Sequence, residues 1–131
     1  MRILIVDDNA VNRIVLNRFL QGGPWEVLEA VDGLDALIAF EAAPPDLVLM
    51  DLAMPGMDGI EATRRMRAAE RAAGRRGISI VAVTASIGSA NDELARDAGF
   101  DEILIKPVRK DRILELVAGC TPGPGTGAVA A

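Results

Sequence analysis

Short apolar runs alternate with stretches of helical spacing along most of the chain. Ile3–Val6 is continuously apolar, as a strand buried on both faces requires. After Asp7-Asp8-Asn9, apolar residues fall at Val11, Ile14, Val15 and Phe19. That spacing predicts one face of a helix, which Asp8 or Asn9 can cap and Gly22-Gly23-Pro24 stops. Trp25–Ala30 reads as a second, more exposed strand, and Leu34–Ala42 as a short helix ended by Pro44-Pro45. Leu47–Met50 is a third strand, again continuously apolar, and Asp51 ends it. A loop, Met54-Pro55-Gly56-Met57-Asp58-Gly59, precedes a predicted helix over Ile60–Ala73. A strand over Ile78–Val83 follows, then a helix over Ser89–Ala98 ended by Gly99. A short strand, Ile103–Ile105, a turn at Lys106-Pro107 and a helix over Arg109–Val117 complete the series.

Five β-then-α units without an internal repeat predict a parallel sheet with helices on both faces, because parallel neighbours need crossover connections. From Thr121 the chain is rich in glycine and proline and has no large side chain to bury except Val129. Residues 1–118 therefore read as one domain and 119–131 as a flexible tail or linker stub.

Composition narrows the chemistry. The 131 residues suit a single domain, and with half of them hydrophobic and a quarter charged the chain is globular in type. The net charge is −5, so the phosphate backbone of a nucleic acid repels it and direct nucleic-acid binding is not expected. No apolar run approaches the ~18 residues of a membrane span, and no membrane contact is expected. One cysteine, Cys120, excludes an internal disulfide and agrees with a cytoplasmic location. There is no histidine, which removes the commonest general base and metal ligand. Chemistry must run on carboxylates, hydroxyls, lysine and backbone.

Those groups collect at strand ends. Asp7 and Asp8 follow the first strand, Asp51 the third, Thr84 the fourth and Lys106 the fifth. In open α/β sheets ligands bind beyond the carboxyl ends of the strands. Three carboxylates there repel one another. Two charges ~4 Å apart cost about 4 kcal/mol at an effective dielectric of ~20. A proton or a cation must relieve this, and an all-oxygen site with room for water suits Mg²⁺. An ionised aspartate can also attack phosphorus without a base, giving an acyl phosphate, with Thr84, Lys106 and backbone N–H groups neutralising charge.

Ile3-Leu4-Ile5-Val6-Asp7-Asp8-Asn9, the stretch from Asp46 to Gly59, Val83-Thr84-Ala85 and Lys106-Pro107 together resemble the response-regulator receiver domain of two-component systems. The resemblance covers residues 2–118. It implies a flavodoxin-like, doubly wound five-stranded parallel sheet in the order 2-1-3-4-5 with five helices. It implies that Asp51 is the phosphoacceptor. Asp7, Asp8, Asp51 and the Ala53 carbonyl hold Mg²⁺, and Thr84, the Ala85 backbone and Lys106 contact the phosphoryl group. It also implies a cis Lys106-Pro107 peptide. The implied donor is a histidine kinase or a histidine phosphotransfer protein, and the output is a downstream protein or an adjoining kinase domain. The runs Asp8–Arg13 and Met57–Arg64 are similar to receivers of hybrid sensor kinases. Ile103 stands where many members carry Tyr or Phe.

Simpler roles are set against these. Arginines 64, 65, 67, 71, 75 and 76 are expected to spread over a solvated surface, and methionines 50, 54, 57 and 66 to pack. A phosphatase with an aspartyl-phosphate intermediate would carry a second aspartate where Ala53 stands, so turnover on an external substrate is not expected. A nucleotide or flavin module would want glycines in place of Asp7-Asp8-Asn9. The complete acidic, Thr and Lys set argues against a phosphorylation-independent interaction domain.

Overall fold

The computed structural model describes residues 1–75, 77–85 and 96–120. Five strands run β1 (Arg2–Val6), β2 (Glu26–Ala30), β3 (Leu47–Asp51), β4 (Ser79–Thr84) and β5 (Glu102–Ile105). They form one parallel sheet in the order β2-β1-β3-β4-β5. Among the described residues four complete helices connect or follow them: α1 (Ala10–Leu20), α2 (Gly33–Ala42), α3 (Gly59–Ala72) and α4 (Lys110–Gly119). The helix expected over Ser89–Ala98 lies mostly outside the described residues, of which 96–98 are helical. Residues 121–131, where the sequence places its tail, also lie outside them. No helix among the described residues is long and apolar enough to cross a membrane.

The strands are continuous apolar runs because both faces are covered. Leu4, Val6, Val48, Met50 and Ile80 point to one layer and pack on Ala36 and Phe40 of α2 and Ala62 and Met66 of α3. Ile3, Ile5, Leu47, Leu49, Val81 and Val83 point to the other, on Leu16 and Leu20 of α1 and Ile113 and Val117 of α4. The period of two sends alternate residues to opposite layers, so neither face leaves a polar position inside the central strands.

Two sequence expectations are corrected. Val11, Ile14 and Val15 do not form the buried face of α1. They are exposed, Val11 at 65% and Ile14 at 52%, and Leu16 and Leu20 carry the contact, with Phe19 partly buried. The inward row continues towards the helix start through half-buried Asn12 and Arg13, so its first turn is polar. Apolar spacing therefore selected the wrong face. Arg67 is the second correction, because its side chain is only 14% exposed. Its guanidinium donates to Gly99 O (2.9 Å), Ile78 O (2.7 Å), Glu70 Oε1 (2.9 Å) and Asp101 Oδ2 (2.7 Å). Arg67 thus ties α3 to the starts of β4 and β5, whereas Arg64, Arg65 and Arg71 are exposed as expected.

Candidate functional site

Register brings the polar strand ends together. Val6 pairs with Met50, so one residue further Asp7 stands beside Asp51, at the ~4.8 Å spacing of neighbouring strands. Asp51 pairs with Val83, which places Thr84 one residue beyond, and Thr84 pairs with Ile105, which places Lys106 one beyond that. The strand order reverses between β1 and β3, the position where a crevice opens in such sheets. A crevice of about 400 Å³ opens there, lined by Asp8, Asp51, Ala53, Thr84, Ala85 and Lys106, with Asn12 and Asp58 at its rim.

Asp7, Asp8 and Asp51 each offer an oxygen, and these oxygens lie within 4.8 Å of one another. Asp7 and Asp51 are buried and Asp8 is exposed. Asn9, not Asp8, caps α1: its side chain accepts from the N–H groups of Val11 (2.8 Å) and Asn12 (3.3 Å). Asp8 is thereby left to the crevice. Lys106 Nζ lies 3.3 Å from Asp7 Oδ2 and 3.7 Å from Asp51 Oδ1. The Lys106-Pro107 peptide is cis, and Lys106 N–H donates to Thr84 O at 2.7 Å. Thr84 is buried at the crevice wall. Ala53 N–H donates to Asp51 Oδ1 at 3.3 Å.

Burial, and then the neighbouring Asp7 charge, push the Asp51 carboxyl above its usual value near 3.8. Lys106 and the Ala53 N–H pull in the other direction without overcoming them. The cluster therefore holds more negative charge than one lysine neutralises, which is the electrostatic condition for a cation site. Oxygen-only donors, one of them solvent-facing, fit Mg²⁺.

The loop after Asp51 is held by close backbone contact. Asp58 caps α3 by accepting from Glu61 N–H at 2.9 Å, and Gly59 N–H donates to Leu52 O at 3.3 Å. A Cβ on Gly59 would lie 2.2 Å from Asp51 O and 2.9 Å from Met50 Cγ. Gly59→Ala is therefore expected to cost roughly 1–3 kcal/mol, the usual range for overpacking, and to displace Asp51. A thermal melt checks this, and an unchanged Tm would contradict the contact.

Of the residues singled out by sequence, Asp8, Asp51, Ala53, Thr84, Ala85 and Lys106 line the crevice, and Asp7 joins them through its carboxylate. Two others were missed. Asn12 lines the crevice, and Arg13 donates to Asp7 O at 2.8 Å. Their signal was polarity on the row of α1 that continues into Leu16 and Leu20. Ile103 is half-buried on β5, and Phe100 packs against the layer of α2 and α3. No ring stands at position 103 to turn inward.

Comparison with known proteins agrees with this arrangement. The family model described as response regulator receiver domain matches residues 3–118. Sensor protein GacS of Pseudomonas syringae pv. syringae is 35% identical over 116 residues, covering 88% of this chain and 13% of that protein. DNA-binding response regulator MtrA of Mycobacterium leprae is 35% identical over 116 residues, covering 88% and 49%. The chain thus spans a small part of the first and about half of the second. The receiver domain of sensor histidine kinase PA1611 from Pseudomonas aeruginosa PAO1 superposes with a TM-score of 0.78 at 33% identity, covering 88% of this chain and 93% of that one. That structure has a magnesium ion coordinated in its active site cleft.

Proposed function

Because the chain belongs to the response regulator receiver domain family of two-component systems, we propose that Asp51 is its phosphoacceptor. The observation that carries this is a buried, ionisable Asp51 at a strand end, with two further carboxylates and one ammonium converging on it. An Asp51 carboxylate oxygen attacks phosphorus, and the bond from phosphorus to the donor imidazole nitrogen breaks. The nitrogen keeps the electron pair, and Asp51 becomes an acyl phosphate. Asp7, Asp8, Asp51 and the Ala53 carbonyl would hold Mg²⁺. The ion would neutralise charge on the phosphoryl oxygens.

The chain's own groups do the rest. Ala53 N–H already fixes one Asp51 oxygen, which orients the other. Lys106 sits where a phosphoryl oxygen bound to Asp51 would meet it, and Thr84 and the Ala85 backbone border the same space. Hydrolysis would return the carboxylate when water attacks the same phosphorus. The donor is a phosphohistidine on a kinase or phosphotransfer protein, and the output is a changed affinity for a partner protein. With Ile103 in place of a ring, that response would run through Thr84 and the loop after Asp51 rather than through an aromatic rotamer.

Incubation with acetyl phosphate and Mg²⁺ tests the reading. One phosphoryl group per chain is expected, with labelling lost in EDTA. Absence of labelling would overturn the reading. Sustained phosphate release from simple phosphomonoesters would indicate a phosphatase instead.

A further inference from the structure

Arg13 has a covered side chain on a helix whose Val11, Ile14 and Val15 are exposed, which is costly for a guanidinium unless its donors are used. They are used beside the acidic turn. Nη1 donates to Asp7 O at 2.8 Å and Nε donates to Glu29 Oε1 at 3.0 Å. We propose that Arg13 is a positioning residue for the divalent-cation site, fixing the peptide plane between Asp7 and Asp8. The proposal rests on the phosphoacceptor reading and extends it to a residue beyond the acidic set.

The surroundings show why that plane needs a holder. Asp7 is fixed elsewhere: its N–H donates to Ala30 O (3.1 Å), Oδ1 accepts from Asn9 N–H (2.9 Å) and Oδ2 faces Lys106 Nζ (3.3 Å). Its carbonyl is the remaining polar atom, and Arg13 takes it. The same peptide leads directly to Asp8. Among the described residues the Asp8 carboxylate takes part in none of the hydrogen bonds, so the main chain alone aims it at the crevice. Glu29, on the edge strand β2, holds the guanidinium from the far side, and the Arg13 carbonyl accepts from Asn17 Nδ2 at 3.1 Å. The chain Glu29, Arg13, Asp7 O thus links the sheet edge to the acidic turn.

The sign of one measurement separates positioning from bare electrostatics. Arg13 is a cation near a cation site, so charge alone predicts that removing it tightens Mg²⁺ binding. Positioning predicts that removing it weakens binding, because loss of a group supporting a metal ligand typically costs 10- to 100-fold. Calorimetric titration of Mg²⁺ into wild type, Arg13→Ala, Arg13→Met and Arg13→Lys at fixed ionic strength reads this directly. The Ala and Met variants are expected to bind about 10-fold more weakly. Arg13→Lys, which can reach one acceptor but not both, should recover part of the loss. Should the Ala variant not fold, the Met variant keeps the side-chain stem and carries the test. Equal or tighter Mg²⁺ binding by the charge-removing variants overturns the proposal, even if their metal-free melting temperatures fall. A wild type that binds no Mg²⁺ overturns the phosphoacceptor reading as well.

Discussion

Asp51→Asn is expected to abolish phosphoryl labelling and, in metal-free buffer at neutral pH, to melt at a higher temperature than wild type. The first effect follows from the missing nucleophile. The second follows from the charge it removes. Burial and the Asp7 carboxylate raise the Asp51 value above 3.8, and these outweigh the pull of Lys106 and the Ala53 N–H. The native state therefore binds more protons than the unfolded chain in the window that starts near 3.8 and ends at the raised value. Stability falls as pH rises through that window. Above it the ionised Asp51 is a standing cost that the neutral amide escapes. A higher Tm is therefore expected for the variant. The gap should close below pH ~3.8, where both chains are neutral at this position. It should also narrow when Mg²⁺ is added to wild type. Calorimetry across pH checks it, and a variant that melts lower than wild type in EDTA at pH 7 would contradict this electrostatic account.

Lys106→Ala should slow phosphorylation by acetyl phosphate on the order of 100-fold, the usual loss when one preorganised charge stabiliser is removed. The ammonium lies 3.3 Å from Asp7 and 3.7 Å from Asp51, close enough to meet charge transferred to Asp51. The same substitution leaves two buried carboxylates facing each other without their cation. Breaking a fully buried pair costs about 3–5 kcal/mol. Lys106 is 24% exposed, and water screens part of that, so about 1–2 kcal/mol is expected here. Mg²⁺ should recover stability but not rate, because it can neutralise the carboxylates without standing where Lys106 stands. Lys106→Arg should restore little, since a planar guanidinium does not replace a compact ammonium. Single-turnover kinetics with and without Mg²⁺ separate the two effects. A rate within threefold of wild type would show that Lys106 is not a charge stabiliser.

How much of the fold is legible in the sequence follows from packing. Ile3–Val6 and Leu47–Met50 announce themselves because both faces of the central strands are buried, which leaves no polar interruption. Their polar sequels, Asp7, Asp8 and Asp51, are conspicuous for the same reason. Alternation of elements predicted the parallel sheet, but only the family resemblance supplied the order 2-1-3-4-5 and the cis Lys106-Pro107 peptide. The face of α1 was misread because the helix serves the site as well as the core. Asn12 and Arg13 occupy inward positions, and Val11, Ile14 and Val15 are left outside. Arg67 was misread as solvated because its four acceptors are brought together by chain segments up to 34 residues away. Periodicity reports burial of apolar atoms and is blind to polar groups buried with partners.

The central claim is that the phosphoryl group sits on Asp51 itself. Acyl phosphates are reduced by borohydride, which would convert the modified aspartate to homoserine. Wild type treated with acetyl phosphate and Mg²⁺, reduced, digested and sequenced by mass spectrometry should carry homoserine at position 51 alone. Homoserine at Asp7, Asp8 or Asp58, or its presence at none of them, would contradict the account.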